Sequence, residues 1–242
     1  MTPTTPTSTP QTPPAGKPRR RKPGQSVVLH CVPWEMYTKL LKVFAEKRGV
    51  RLAYDRGDLE IMAPSYEHDN DGWVLGQFVY ILSDELNLSL RPGGSTTLRR
   101  KLKQKGIEPD ECFWIANAAA LAGARRLNLR THPPPDLAIE VDVSRSSLPR
   151  FGIYAALKVP ELWRLGGDEL KFHVLGPNKK YAEAATSLSF PLVAPADLLP
   201  HLQQARAAVD MIAVLRAFRD WVRQRIANPP ASPSPPASPP AP

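Results

Sequence analysis

Hydrophobic positions recur along this chain with two periods, and the switches between them mark out its elements. Residues 27–29 read as a short strand. A helix is expected over about 34–47, where Met36, Leu40, Leu41, Val43 and Phe44 fall at helical spacing and Gly49 ends the run. Residues 50–54 and 59–63 are β-type runs, and Asp55-Arg56-Gly57-Asp58 between them is a hairpin signal. The pattern then turns helical. Ser65 stands as an N-cap, and Trp73, Leu75, Phe78, Val79, Ile81 and Leu82 make an apolar stripe that runs toward Asn87.

The second half alternates faster. Short strands are expected at 88–91 and 96–99 around Pro92-Gly93-Gly94, and a compact aromatic-rich strand at 110–115. His132-Pro133-Pro134-Pro135 cannot be helical, so it delivers the chain extended into a strand over 135–143. A helix over 149–157 and strands near 161–165 and 170–175 follow. One last long helix is expected over 203–226, with Val209, Ile212, Ala213, Leu215, Phe218, Trp221 and Val222 as its buried positions. Hairpins early and a strand-helix-strand unit late predict an α/β fold, a mixed central sheet flanked by helices, in a single domain over 27–227.

Composition changes the picture at both ends. Residues 1–26 are a Pro/Thr-rich tail with a basic knot, Lys17-Pro18-Arg19-Arg20-Arg21-Lys22, and 228–242 contain only Asn, Pro, Ala and Ser. Such segments cannot bury enough apolar surface to offset the entropy of ordering, so both are expected to be disordered, the second with polyproline II character. Five positive charges sit in the first tail, which leaves the core at +4 of the chain's +9. A basic arm on a mildly basic core suits a polyanion such as nucleic acid; a purely solubilising tail is the equal alternative. Two cysteines are too few for a disulfide framework, and the five histidines are scattered without zinc-type pairing. No apolar run is long enough to span a membrane and the basic N-terminus lacks a signal-type apolar stretch, so a cytoplasmic setting is expected.

Candidate chemistry concentrates in the strand over 135–143. Alternation puts Leu137, Ile139, Val141 and Val143 on one face and Asp136, Ala138, Glu140 and Asp142 on the other. A solvated strand face normally mixes in Thr or Lys, because neighbouring like charges repel. Carboxylates at i and i+2 lie roughly 6.5 to 7 Å apart, close enough to converge on one divalent ion. Asp110 enters its own strand after a proline, as Asp136 does, and could add a ligand from the next strand. Hard oxygen donors favour Mg²⁺ or Mn²⁺. Surface carboxylates paired with Arg or Lys are the competing reading, about equal on residues alone.

Three stretches carry a resemblance: Glu108-Pro109-Asp110-Glu111-Cys112-Phe113-Trp114-Ile115, then Pro134-Pro135-Asp136-Leu137-Ala138-Ile139-Glu140-Val141-Asp142-Val143, then Ile153-Tyr154-Ala155-Ala156-Leu157-Lys158-Val159-Pro160-Glu161-Leu162-Trp163-Arg164. With Gly57-Asp58-Leu59-Glu60-Ile61-Met62-Ala63-Pro64-Ser65 and Glu67-His68 upstream, they resemble the bacterial Uma-type "putative restriction endonucleases". The resemblance implies a restriction-endonuclease-like fold of the PD-(D/E)XK kind, with Asp110 and Glu140 as metal ligands. Asp142 departs from the pattern, standing where the motif has lysine. In many family members a lysine on the following helix replaces it, and the corresponding residue here is Arg150. Arginine can hold a phosphate but stays protonated and cannot act as a general base.

The expected function is therefore a Mg²⁺- or Mn²⁺-dependent DNA endonuclease with Asp110, Glu140, Asp142 and Arg150 as its catalytic set. The alternative is a nuclease-fold module that has lost turnover and binds DNA or protein without cleaving. A homodimer, and proteins that recognise the proline-rich tails, complete the expected partners. Lys158 reads as a solvent-exposed turn residue. Glu60, Glu67 and His68 read equally well as surface or capping groups, and Phe113, Trp114, Tyr154, Trp163 and Trp221 as core.

Overall fold

The computed structural model describes residues 25–45, 49–142 and 148–229. Elements in chain order are β1 (Gln25–Leu29), α1 (Trp34–Phe44), β2 (Arg51–Asp55), β3 (Asp58–Ala63), α2 (Tyr66–Glu85), β4 (Arg91–Pro92), β5 (Leu98–Arg100) and β6 (Lys105–Ile107). They continue with β7 (Glu111–Trp114), β8 (Leu137–Asp142), α3 (Arg150–Leu157), β9 (Glu161–Gly166), β10 (Glu169–Leu175), β11 (Tyr181–Ala184), α4 (Pro195–Ala207) and α5 (Met211–Ala227).

Local chemistry explains the early elements. The β2–β3 hairpin closes through Arg56 and Gly57, both at positive φ (48° and 104°), which is the two-residue turn whose twist matches that of the flanking strands. Arg56 is held in that conformation by its Nε, which donates to Asp55 Oδ1 at 3.0 Å. Ser65 caps α2 as expected: its Oγ accepts the N–H of His68 at 3.2 Å.

The strands form two sheets. One is antiparallel, in the order β1-β3-β2-β6-β5; the other is mixed, in the order β11-β10-β9-β8-β7-β4. β8 and β9 are the parallel pair, joined by α3 as crossover, in register from Leu137 opposite Glu161 to Asp142 opposite Gly166. The expected mixed sheet flanked by helices is therefore present, with a second, antiparallel sheet beside it. Leu137, Ile139 and Val141 face a core under α2, α4 and α5 that includes Phe78, Trp163 and Phe218. Ala138 on the other face joins a second core with Cys112, Trp114, Ile153 and Tyr154, reaching Leu98 and Ile107 of the antiparallel sheet.

That second core places the acidic face of the strand beneath α3, with Asp136 and Glu140 both buried. The expected helix over 203–226 is two helices, α4 and α5. They part at Ala208–Asp210, because Asp210 accepts the N–H groups of Ile212 (2.9 Å) and Ala213 (3.3 Å) and restarts the helix. Val209 then lies in the connection, and Val209, Ile212 and Ala213 are exposed; Val214, Phe218 and Val222 form the buried line. Strand boundaries also move. Leu88 to Leu90 are outside β4, β1 starts at Gln25 inside the expected tail, and β6 and β11 had no expected counterpart. Asn228, the first residue of the expected second tail, caps α5; residues 1–24 and 230–242, Val143 and the end of the expected first helix fall outside the described residues. No helix among the described residues is long and apolar enough to cross a membrane.

Candidate functional site

Strand pairing dictates where Asp110 sits. Its N–H donates to Ile139 O (3.2 Å) and its Oδ2 accepts the N–H of Val141 (2.8 Å), so the residue straddles Glu140 on β8. It lies one position before the Glu111–Ile139 pair that opens the antiparallel β7–β8 ladder, and its side chain starts out beside Gly72 of α2. Burial, and then the charge on Glu140, push Asp110 up to about 7, against the pull of His68, the Val141 N–H and Arg150.

Glu140 is occupied from two sides by α3. Arg150 Nη1 donates to its Oε2 and the Tyr154 hydroxyl to its Oε1. Arg150 and Tyr154 are four residues apart, hence on one helix face. The other guanidinium nitrogen of Arg150, Nη2, donates to Glu60 Oε2 at 3.0 Å and lies 3.7 Å from Met62 Sδ. Arg150 thus bridges two carboxylates, one from each sheet. Burial works against its charge, but Glu140 and Glu60 outweigh it and hold the guanidinium protonated. Tyr154 is raised well above the ordinary phenol range by burial and by Glu140, so its hydroxyl stays a donor.

His68 approaches from the first turn of α2. Its side chain is fully buried, with Nε2 3.4 Å from Asp110 Oδ2 and Nδ1 3.6 Å from Asp69 Oδ1. The first of these lacks the direction of a hydrogen bond and the second is too long for one, so both ring nitrogens are buried without one. Burial lowers its basicity, yet Asp69 and Asp110 together raise it above the ordinary histidine value.

The remaining expected residues divide. Asp142 is on the Glu140 face, at the rim, where its Oδ2 accepts from Arg164 Nε at 2.5 Å; that guanidinium also lies 5.0 Å over the Phe151 ring. Asp136 accepts the N–H groups of Ile115 (2.7 Å) and Asn117 (3.0 Å) and the Asn117 amide (2.5 Å), which ties the exit of β7 to the entry of β8. Lys158 is exposed at the left-handed C-cap of α3 (φ 66°), and Glu67 is exposed as well. A cavity of about 260 Å³ opens beside the cluster, walled by Glu140, Asp142, Arg150, Phe151, Tyr154 and Arg164.

Glu60, His68, Tyr154 and Arg164 line the site without having been singled out for it. Glu60 and His68 carried a signal in the sequence, a carboxylate on a strand and a histidine in a helix's first turn, but nothing that separated them from surface groups. Tyr154 could have been found from its four-residue spacing to Arg150. Among the described residues no group of three or more His, Cys, Asp or Glu side chains is disposed to hold a metal, which leaves no all-protein cage. Two adjacent carboxylates fit the habit of Mg²⁺ or Mn²⁺ instead, which keeps waters and takes one or two carboxylates plus substrate oxygens.

A mixed sheet with its parallel β8–β9 pair, α3 crossing between them and buried carboxylates at the junction make this a mixed α/β fold built around an acidic site. The sequence model described as "Putative restriction endonuclease", that of the Uma2 family, matches residues 34–211, and the chain belongs to that family. Among solved structures the chain is similar to one described as a putative nuclease belonging to DUF820 from Anabaena variabilis. The two are 18% identical, with 62% of this chain and 90% of that chain covered and a TM-score of 0.44. No match was found among curated proteins.

Proposed function

We propose that the protein is a Mg²⁺-dependent DNA endonuclease that hydrolyses phosphodiester bonds, with Asp110 and Glu140 as the carboxylates that would hold the ion. The observation that carries this reading is that Asp110, at the entry to β7, and Glu140, on β8, are both buried and near enough for the charge on Glu140 to raise Asp110, a repulsion that a divalent cation would relieve. When bound, such an ion would polarise the phosphodiester and lower the pKa of a bound water. The chain's own groups supply the rest. Arg150 offers a permanent cation to the scissile phosphate and to the charge that develops on it. Asp142, an acceptor at the cavity rim, orients water, and Arg164 beside it screens the second carboxylate from the incoming polyanion. His68 steadies Asp110 from behind.

Supercoiled plasmid incubated with Mg²⁺ or Mn²⁺ tests the proposal: the wild type nicks it and Asp110→Ala and Glu140→Ala do not. Equal nicking by all three would overturn the residue assignment. A second reading has its own support, since Arg150 and Asp142 are both already engaged in ion pairs and no lysine takes the motif position. It holds that the fold binds DNA without cutting it. Retention of DNA in a gel shift, with no metal-dependent nicking, would favour it.

A further inference from the structure

We infer that Arg150 is a tethered counter-ion that competes with the divalent cation for Glu140, and that Glu60 is the positioning residue that holds it when Glu140 is released. The inference rests on the proposed metal-binding role of Asp110 and Glu140 and adds to it a built-in restraint.

The argument starts from charge. Both oxygens of Glu140 have donors from α3, the Tyr154 hydroxyl on Oε1 and Arg150 Nη1 on Oε2. A carboxylate oxygen has a second lone pair, so the tyrosine bond is compatible with a cation on the same group. The guanidinium is not equivalent to it. It carries a full positive charge at hydrogen-bond distance from Glu140, in a site where burial leaves little water to screen it. An entering divalent ion and Arg150 therefore exclude each other at Glu140.

Arg150 does not have to leave the site to make room. Nη2 is already on Glu60 Oε2 at 3.0 Å, a carboxylate only 1% exposed and carried by the other sheet. Met62 Sδ lies 3.7 Å from the same nitrogen and limits where it can go. Released from Glu140, the guanidinium keeps one charged partner and presents its other face to the adjoining cavity of about 260 Å³, where a phosphate would lie. Glu60 and Glu140 thus define two positions of one cation. In the first, Arg150 neutralises Glu140 and the site is closed to metal. In the second, it stays on Glu60 and faces substrate. Substrate phosphate favours the second, so metal and DNA should each strengthen the binding of the other.

The test is Mn²⁺ binding, measured by calorimetry on the full chain without DNA. The wild type should bind weakly and Asp110→Asn not at all. Arg150→Met should bind at least about tenfold tighter, because it frees Glu140 of its competitor, and yet should lose plasmid nicking. Glu60→Gln should shift affinity the other way, at least several-fold weaker, because Arg150 then rests wholly on Glu140. Arg164→Met deletes the same charge at the rim without freeing Glu140, and should change affinity far less than Arg150→Met. Arg150→Lys, too short to bridge both carboxylates, should lie between wild type and Arg150→Met and guards against misfolding of the latter. Opposite signs for Arg150→Met and Glu60→Gln separate competition from simple damage, which would weaken binding in both. Unchanged or weaker Mn²⁺ binding in both arginine variants, with Asp110 still required, overturns this inference and leaves the proposed function standing. Failure of every variant to bind Mn²⁺ overturns both.

Discussion

Asp136 and Asp110 show how little a residue's identity says about its task. Both follow a proline at a strand entry, and both accept backbone N–H groups, yet their environments part. Asp136 has three donors, so its charge is satisfied. Asp136→Ala should cost about 1–3 kcal/mol in urea unfolding by orphaning the buried Ile115 N–H, with plasmid nicking by the folded fraction unchanged. Asp110 is instead raised to about 7 by burial and by Glu140. Its folded value lies above the unfolded one, so the folded state binds the extra proton between about pH 4 and 7. Stability is then greatest below that window and declines as pH rises through 7. Glu111, raised to about 7 by burial against the pull of Arg51, adds the same sign. The melting temperature of the metal-free protein should fall from pH 5 to pH 8. Asp110→Asn should flatten that fall, Glu111→Gln should flatten it less, and Mg²⁺ should restore part of the loss only when Asp110 is intact. The sequence made Asp110 and Glu140 legible as candidates, through their strand positions and a resemblance. It could not give the burial that separates Asp110 from Asp136, because burial is decided by α2 and α3 packing over the strands.

At the scale of elements, strands and helices with local signatures were legible and those defined by distant partners were not. The Arg56-Gly57 turn and the Ser65 cap state their own geometry. β6 and β11 are short strands whose only reason to be strands is a neighbour, β2 and β5 for one and β10 for the other. The break between α4 and α5 is a different case, since Ala205-Arg206-Ala207-Ala208 has good helix propensity up to the break and Asp210 was the available signal. Its cap carries two backbone N–H groups of α5. Asp210→Ala should therefore lower stability by about 1 kcal/mol in chemical denaturation, while Asp210→Ser should be close to neutral. A larger loss would mean that the angle between α4 and α5, and with it the Phe78–Phe218 stack at 4.1 Å, depends on the cap.

Across the whole molecule, the site is an intersection that no single stretch of sequence contains. Glu60 comes from the antiparallel sheet, Asp110 and Glu140 from the mixed one, and Arg150 from the helix between, and Glu60 meets Arg150 across 90 positions of chain. The same architecture gives the basic arm a defined root. β1 pairs with β3 so that Gln25 lies opposite Ala63 and Val28 opposite Glu60. The five positive charges of residues 17–22 come shortly before β1 in the sequence. If they contact DNA, they do so through phosphates, which adds affinity without sequence preference. Each phosphate neutralised contributes about 0.9 to the slope of log affinity against log salt. Removing residues 1–24 should thus flatten the slope by up to about 4 and weaken binding most at low salt. Mn²⁺ affinity without DNA should not change, because the arm carries no carboxylate. A deletion that leaves the salt slope untouched would assign the arm to solubility and return DNA binding to the +4 core.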